Sequence, residues 1–430
     1  MSVKNKIVKG MAANSFGQAI TLGSQLLLIP LMLSTWGADL FGVWLVISAV
    51  PAYLSFANFG VSPYTATILT GYVAGEGRYG DEYFIDVYRG AFFLTGLSVG
   101  LLSILTLLLV QFSLDIVHLL DNHIEPDELT VVLILFGMYV SCNFFMAMWD
   151  VAFRPAGRYA GGVIFQNLAR LLEIGGVIVL LLVKVSPRIL DVVAIMVLLR
   201  ILSLILVFSY IKQVLGLGVV FRKSKNIGVK TYLNRALGYM LMPLGYAFSI
   251  QGMIIVAAMV SPAYAAAFGV TRTLISSVRQ FILVISQSFW PELTVANSEG
   301  EARNFRRLFF FMLLASVSLT VVALMIIFLL SEEIFTIWLG STELLNRSLF
   351  MLLAVLTFIS IVWNQFYILL ASVANVTMFS VLFLLGNVMS FCISLLAPSK
   401  MLEIYTVVEL LILVVSFLMA RKDLWGDKCI

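Results

Sequence analysis

Two arginines on one predicted helix have the spacing that points most directly to chemistry. Arg272 and Arg279 lie in the stretch FGVTRTLISSVRQF, with Ser276 between them. Seven residues make two helical turns, so the three side chains share one face of the helix. The planar guanidinium group of arginine can form two parallel hydrogen bonds to a phosphate or a carboxylate. The pattern therefore indicates a binding site for an anionic group.

Composition places this helix inside a membrane. Of the 430 residues, 61% are hydrophobic and only 12% are charged, and the mean hydropathy is +1.04. Soluble domains contain about 45 to 50% apolar residues. Here the apolar residues form unbroken runs of about twenty, whereas the strands of a membrane barrel alternate over about ten residues. The sequence therefore predicts an all-α polytopic membrane protein.

Twelve transmembrane helices are predicted, and both termini are expected in the cytoplasm. Lysine and arginine concentrate in the cytoplasmic loops of membrane proteins. The basic loop residues lie on the side of the termini, with the exceptions of Lys184, Arg188, Arg347 and Lys400. This topology explains the net charge of +4, so nucleic acid is not an expected partner. Span one to span twelve are predicted near residues 11–34, 41–62, 90–112, 129–150, 163–183, 190–211, 237–260, 264–290, 308–330, 349–371, 376–397 and 403–420.

The spans divide into two predicted six-helix lobes. Residues 1–211 form the first lobe, residues 212–236 a basic cytoplasmic linker, and residues 237–430 the second lobe with a short cytoplasmic tail. The tripeptide FGV occurs at 41–43 in span two and again at 268–270 in span eight. Because each half has an even number of spans, a repeat must be parallel, related by an axis along the membrane normal. Two such lobes with a central cleft are typical of a transporter.

The two arginines of span eight are expected to line an aqueous cavity. A charged side chain at the centre of a membrane helix costs about 2.5 to 3.5 kcal/mol unless it faces partners or water. Spans seven and eight contain no acidic residue, and we expect no nearby group to neutralise the two cations. As an alternative, Arg279 could extend toward the cytoplasmic headgroups.

Polar residues at helical spacing on spans one and two predict further walls of this cavity. On span one, residues with amide or hydroxyl side chains recur every three or four positions. Span two has a similar series of polar residues, which includes Asn58. The alternative role for each amide is a hydrogen bond between helices. No catalytic or metal site is predicted. The predicted substrate-binding residues are Arg272, Arg279, Ser276, Asn14, Gln18, Gln25 and Asn58, with Thr21 on the same stripe as the first two amides.

A second group of charged residues lies on spans four, five, six and twelve. Arg170 and Glu173 of span five and Arg200 of span six fall at similar depths, so a structural ion pair is favoured over a role in substrate binding. Glu173, Asp150 and Glu409 are the acids that could carry a coupling proton or sodium ion. The sequence does not choose the ion, and no cofactor is expected.

Two stretches resemble a known family. FGVWLVISAVPAYLSFANFGVS, residues 41–62, looks like the second span of the polysaccharide transporter family, the Wzx-type oligosaccharide flippases of the multidrug/oligosaccharidyl-lipid/polysaccharide exporter superfamily. IFTIWLG, residues 334–340, is similar to the family's segment before span ten. The sequence departs from the family at Asn58, where an acidic residue is common, and near Thr67, where a basic residue is common.

The resemblance implies a flippase of the bacterial inner membrane. Its substrate would be a polyprenyl-diphosphate-linked oligosaccharide, such as the repeat unit of a lipopolysaccharide O-antigen or a capsule. The flippase would move this substrate from the cytoplasmic to the periplasmic leaflet by alternating access. Arg272 and Arg279 would bind the diphosphate, and the amides would replace water around the sugars. The implied partners are the lipid bilayer, a polysaccharide polymerase and other assembly proteins.

Other transporters and one class of enzyme stay open as alternatives. A drug or cation exporter would require an acidic cavity, which the arginines oppose. Topology does not exclude a twelve-span sugar or anion porter. A membrane polysaccharide polymerase or ligase is less favoured, because such enzymes present a large external domain and the external loops here are short. We therefore do not expect an enzyme.

Overall fold

The computed structural model describes residues 3–75, 78–120, 123–215, 228–298, 301–373 and 376–425. Within these ranges the regular structure is helical and contains no strand, which confirms the predicted all-α class. The α-helices are Val3–Ile47, Val50–Leu54, Val61–Ala74, Glu82–Gln111, Ser113–Leu119, Pro126–Phe153, Tyr159–Val183, Ile189–Leu215, Val229–Leu237, Leu241–Ala247, Met253–Ala258, Pro262–Ser298, Ala302–Leu329, Ser331–Leu339, Arg347–Ser372, Thr377–Leu396 and Met401–Trp425. Short 3-10 turns lie at Ser55–Asn58, Gly238–Met240 and Pro398–Lys400, and a π-helical turn lies at Phe248–Gly252.

The described residues contain 11 helical stretches that are long and apolar enough to cross a membrane. The first, Ser15–Asn58, has 44 residues, about twice the length of one crossing. Gly37 interrupts it with φ 74° and ψ 179°, so this stretch joins span one to the N-terminal part of span two. Large apolar side chains on the spans are exposed, as at Leu107 and Leu314, and these surfaces suit contact with lipid tails. The chain is a multi-pass membrane protein.

Span two is longer than predicted and is broken in its middle. Its helix resumes at Val61 and continues to Ala74, twelve residues past the predicted end at residue 62. Phe59 and Gly60 have φ values of 50° and 69°, which ends the preceding 3-10 turn. A Cβ atom on Gly60 would also overlap the carbonyl oxygen of Ala236. Only glycine therefore meets both the backbone angle and the close approach at this break.

The chain forms two compact units. The first contains Met1–Gly37 and Ile47–Met240, and the second contains Ala38–Val46 and Leu241–Ile430. Both units hold their spans in the same order, and a short helix follows the third span of each, at Ser113–Leu119 and at Ser331–Leu339. This correspondence is what a parallel repeat requires. Residues 216–227 of the predicted linker lie outside the described residues.

The glycines of the two FGV tripeptides lie where spans two and eight pack closely within the second unit. A Cβ atom on Gly42 would overlap the carbonyl oxygen of Pro262, and one on Gly269 would overlap the side chain of Leu45. The flanking Phe41 and Phe268 are fully buried. Both glycines thus allow the N-terminal part of span two to pack closely against the N-terminal part of span eight.

Asp81 starts span three in the first unit by capping its helix. Its carboxylate accepts hydrogen bonds from the Tyr72 hydroxyl at 2.6 Å and from the backbone N–H of Phe84 at 2.9 Å. These bonds, the one from Tyr72 first, hold the pKa of the Asp81 carboxyl below its usual value. The cap satisfies a helix-terminal N–H group that would otherwise lack a partner.

Candidate functional site

The helix Pro262–Ser298 of the second unit carries both arginines. Arg272, Ser276 and Arg279 are each partly buried, and they lie on one face as their spacing predicts. The ion pairs of the described residues do not include either arginine. The two guanidinium groups carry like charges on the same helix face, two turns apart. Span eight therefore presents a face with two mutually repelling cations.

Arg272 is anchored to an irregular turn of span seven. The backbone of span seven leaves the α-helical pattern at Phe248–Gly252, where it forms one π-helical turn. Such a turn disturbs the regular pairing of carbonyl and N–H groups. Arg272 Nη1 donates to the Ile250 carbonyl at 3.1 Å, and the Tyr405 hydroxyl donates to the Phe248 carbonyl at 2.8 Å. The turn thus supplies Arg272 with an acceptor within its own helical hairpin.

Arg279 has fewer partners than Arg272. Its guanidinium carbon lies 5.1 Å from the centre of the Tyr246 ring, a cation–π contact with span seven. Its Nε atom is buried and has no hydrogen-bond partner in the protein. The guanidinium group of Arg279 packs against the Tyr246 ring, so it does not lie among solvent-exposed groups. Arg279 therefore keeps unused donor capacity at the site.

An acid on span twelve changes the expected charge balance around Arg279. Glu409 is 3% exposed, and it accepts a hydrogen bond from the indole N–H of the fully buried Trp363. The Tyr246 ring contacts both the Arg279 guanidinium group and the Trp363 ring, and the ion pairs of the described residues do not join Arg279 to Glu409. The expectation that no nearby group could neutralise the arginines needs this correction, since it considered only the hairpin of spans seven and eight. Packing of span twelve against span ten brings the acid in.

The polar residues of span one lie in the first unit, and their exposure and contacts differ from one residue to the next. Gln18 is exposed, whereas Gln25 is partly buried and makes interactions of its own. Thr21 accepts a hydrogen bond from Arg170 Nη1 of span five at 2.6 Å. The side chain of Asn14 lies outside the described part of the structure. Among the described amide side chains of span one, that of Gln18 is the exposed one.

Span one is held against span five by a buried asparagine. Asn167 Nδ2 donates to the Ala13 carbonyl at 2.9 Å. A Cβ atom on Gly17 would lie 2.7 Å from Asn167 Oδ1, so the two helices approach closely at this point. Asn167 is not among the predicted site residues, although a polar residue within an apolar span is a signal for such a contact.

Asn58 lies at the break of span two. It belongs to the 3-10 turn Ser55–Asn58, and its Nδ2 atom is 3.5 Å from the Ser62 hydroxyl. Its Oδ1 atom is buried without a hydrogen-bond partner in the protein. An unpaired buried amide oxygen costs about 1 to 3 kcal/mol, so Asn58 carries an unused acceptor.

The charged residues of spans five and six form a compact group in the first unit. Glu173 Oε1 lies 2.6 Å from Arg200 Nε, and Arg200 Nη2 donates to Glu173 Oε2 at 2.8 Å. The Tyr139 hydroxyl of span four receives a bond from Arg200 at 2.9 Å and donates to Glu173 at 3.2 Å. Arg170 bonds Thr21 instead. The side chain of Asp150 lies outside the described residues.

The structure thus brings the candidate residues into two sets, one in each unit. The second unit joins Arg272, Ser276 and Arg279 with three residues that the sequence did not predict, Tyr246, Trp363 and Tyr405. An aromatic residue in an apolar span gives no signal by itself, because most such residues only pack. The first unit holds Gln18, Thr21, Arg170, Asn58 and the Glu173–Arg200 pair.

Comparison with known proteins identifies the fold. No protein-family model matches the sequence. The search of curated proteins finds no match either. Solved structures of membrane transporters do match. An inward-facing multidrug resistance MATE family transporter of the MOP superfamily has 16% identity and a TM-score of 0.61, over 99% of this chain and 95% of its own. The lipid II flippase MurJ in an inward closed conformation has 12% identity and a TM-score of 0.66, over 96% of this chain and 87% of its own.

A third solved structure is a MOP superfamily transporter from Pyrococcus furiosus Vc1, described as having a binding pocket of reverse polarity. It has 15% identity and a TM-score of 0.59, over 98% of this chain and 96% of its own. The chain therefore has the fold of MOP superfamily transporters. At these identities the likeness establishes the fold alone.

Proposed function

We propose that this protein is a flippase for a polyprenyl-diphosphate-linked oligosaccharide, such as an O-antigen or capsule repeat unit. It moves the substrate from the cytoplasmic to the periplasmic leaflet of the bacterial inner membrane by alternating access. The observation that carries the proposal is the face of span eight, where Arg272 and Arg279 have no ion pair among the described residues. A diphosphate supplies the missing negative charge.

The geometry of the two arginines suits a diphosphate. Seven helical residues separate the two Cα atoms by about 10 Å along the axis, and arginine side chains are long enough to converge on one group between them. The free Nε atom of Arg279 is a donor available to a phosphate oxygen. An anion placed there also removes the repulsion between the two cations. Both effects favour a doubly charged group over a neutral one.

The polar residues of the first unit suit the sugars. A sugar hydroxyl buried without a hydrogen bond costs several kcal/mol, so a headgroup needs donors and acceptors along its path. Gln18 is exposed, and Asn58 Oδ1 has no partner in the protein. We assign both, with Asn14 and Gln25, to contacts with the oligosaccharide. A polysaccharide polymerase and other assembly proteins are the proposed partners.

The neighbours in fold support this choice among transporters. One is a lipid II flippase, so the fold serves a lipid-borne substrate in that protein. Others are multidrug transporters. The net positive face around Arg272 and Arg279 disfavours a cationic drug, because like charges repel in a medium of low dielectric constant.

The test is a gene deletion complemented by charge-neutral variants. Deletion should cause lipid-linked oligosaccharide to accumulate on the cytoplasmic face and should lower the amount of surface glycan. R279Q should be produced at a normal level, because it removes a cation without breaking a hydrogen bond seen in the structure. It should nevertheless leave the lipid-linked oligosaccharide accumulated and the surface glycan low. R272Q should behave similarly. Mass spectrometry of lipid-linked intermediates, glycan staining and immunoblotting measure the three quantities.

The matched control is R347Q, which removes an arginine from an exposed ion pair with Glu332 on the predicted outer side. This variant should restore surface glycan in full. Normal glycan in the deletion strain, or full complementation by the double variant R272Q/R279Q, would refute the proposed function.

A further inference from the structure

Three arginines lie at the beginning of span nine, outside the site described above. The helix Ala302–Leu329 carries Arg303, Arg306 and Arg307 in its first two turns. In the predicted topology this end of the span lies on the cytoplasmic side. The ion pairs that join described residues include none of the three. Their positive charge is therefore not balanced by an ion pair within the described part of the chain.

A cavity of about 710 Å³ lies beside these arginines. Small-molecule sites typically have volumes of about 300 to 1,000 Å³. Asn304 Nδ2 donates to Glu301 Oε2 at 3.0 Å, so one oxygen of this carboxylate is used within the wall of the cavity. The lining contains two guanidinium groups and one carboxylate, so it favours an anionic ligand. The lining residues are Glu301, Ala302, Arg303, Asn304 and Arg307.

Arg306 adds a third cation in the same two turns. The residue is half-buried, and its Nε atom is buried with no hydrogen-bond partner in the protein. Arginine keeps its charge in proteins, and its N–H groups bond well to phosphate oxygens. An anionic group near this end of the helix would offset the charge of all three side chains.

The exposed face of span nine continues from the arginines as an apolar stripe. Arg303, Arg307, Phe310 and Leu314 follow one another at intervals of four, three and four residues. This spacing places them on one face of the helix. Phe310 is 46% exposed and Leu314 is 70% exposed. The opposite face is buried in the core of the second unit and contributes Phe305, Phe309 and Met312.

This order of groups matches a phospholipid with an anionic headgroup. Leu314 lies seven residues beyond Arg307, about 10 Å along the helix axis. The guanidinium groups can hold a phosphodiester while the apolar stripe contacts the acyl chains of the same molecule. Basic side chains at the cytoplasmic end of a membrane helix attract anionic lipids. A soluble phosphate would use the cavity but not the stripe, so the stripe favours a lipid.

We propose that the cavity at the start of span nine binds an anionic phospholipid of the cytoplasmic leaflet. The phosphate lies at Arg303 and Arg307, and the acyl chains lie along Phe310 and Leu314. The ligand is a lipid of the surrounding membrane and not the transported substrate. The site uses none of the residues assigned to the substrate, so the inference does not depend on the proposed function.

The experiment titrates the full chain in detergent with phosphatidylglycerol and measures bound lipid by native mass spectrometry. Phosphatidylcholine with the same acyl chains is the comparison, because its headgroup has no net charge. Wild type should bind phosphatidylglycerol more tightly than phosphatidylcholine. R303Q/R307Q should weaken binding of phosphatidylglycerol on the order of fivefold for each arginine removed and should leave binding of phosphatidylcholine unchanged. Equal affinity of wild type for the two lipids would refute the inference.

Two double variants with the same change in charge are the controls. R188Q/R347Q removes two exposed arginines from the predicted outer side and should bind phosphatidylglycerol as wild type does. R272Q/R279Q changes only the proposed substrate site and should also bind it normally. If R272Q/R279Q loses the lipid and R303Q/R307Q keeps it, the lipid binds at the substrate site and the inference is wrong.

A second measurement uses wild type alone, so it does not depend on the folding of any variant. Phosphatidylglycerol with a photoreactive diazirine in one acyl chain should label the peptide that contains Phe310 and Leu314. Labelling that spares this peptide would overturn the assignment.

Competition separates a lipid from a free phosphate. Glycerol 3-phosphate carries a similar charged group without acyl chains, so an equal concentration of it should displace little phosphatidylglycerol. Complete displacement would show that the headgroup alone suffices and would refute a site for a lipid. A failure of the flippase proposal leaves all of these expectations unchanged.

Discussion

Arg272 Nη1 lies 3.1 Å from the carbonyl oxygen of Ile250, within the π-helical turn of span seven. The bond joins the two helices of one hairpin through a backbone group that a regular α-helix would use internally. A charge-assisted bond of this kind contributes about 1.5 to 3 kcal/mol. Arg272 therefore has a structural role in addition to its charge, whereas Arg279 is free of such a bond at Nε.

The first prediction compares the stability of alanine variants at these two positions. R272A should lower the thermal unfolding midpoint of the purified protein more than R279A does, because it leaves the Ile250 carbonyl without its donor. The expected free-energy loss for R272A is about 1 to 3 kcal/mol. Unfolding in detergent, followed by fluorescence-detected size-exclusion chromatography, measures both. A lower midpoint for R279A than for R272A would contradict the anchoring role.

The second prediction concerns the ion pair of Glu173 with Arg200. The two side chains are only 7% and 14% exposed, so breaking the pair leaves a nearly buried charge. Either E173Q or R200Q should destabilise the protein by about 3 to 5 kcal/mol. The double variant should be more stable than the two single effects predict when added, since it leaves no unpaired charge. A double-mutant cycle of unfolding midpoints measures the coupling.

The control for this cycle is the exposed pair of Arg347 and Glu332, whose side chains are 66% and 60% exposed. Exposed ion pairs contribute about 0 to 1 kcal/mol, so R347Q should leave the midpoint nearly unchanged. Equal effects of R200Q and R347Q would show that the Glu173 pair is not a structural element of the first unit.

The third prediction concerns the close packing of Gly42 in span two against Pro262 at the start of span eight. A methyl group at position 42 has no room beside the Pro262 carbonyl, so G42A should destabilise the protein by about 1 to 3 kcal/mol. Gly71 lies on the C-terminal half of the same span, and a Cβ atom there meets nothing within 4 Å. G71A should be neutral or stabilising by up to about 1 kcal/mol, because alanine favours the helix. Unfolding midpoints of both variants test the pair, and a midpoint for G42A at or above that of G71A would exclude the close contact.

The sequence alone determined the elements that depend on local chemistry. Apolar runs predicted the membrane helices, because the membrane forces each crossing segment to satisfy its own backbone. The seven-residue spacing placed Arg272 and Arg279 on one face, because an α-helix has a fixed pitch. The one long error, the early end of span two, came from the break at Phe59 and Gly60, where the helix stops and then resumes.

Contacts between distant segments were decided only by the tertiary structure. The predicted spans seven and eight contain no acid, yet span twelve, which carries Glu409, packs against span ten and places this acid beside Trp363. The carbonyl of Ile250 became an acceptor because one turn of span seven widened, which no residue spacing shows. Sequence spacing reports neighbours on one helix, whereas partners across helices depend on how those helices pack. The charge pattern was therefore readable from the sequence, and the groups that lie around those charges were not.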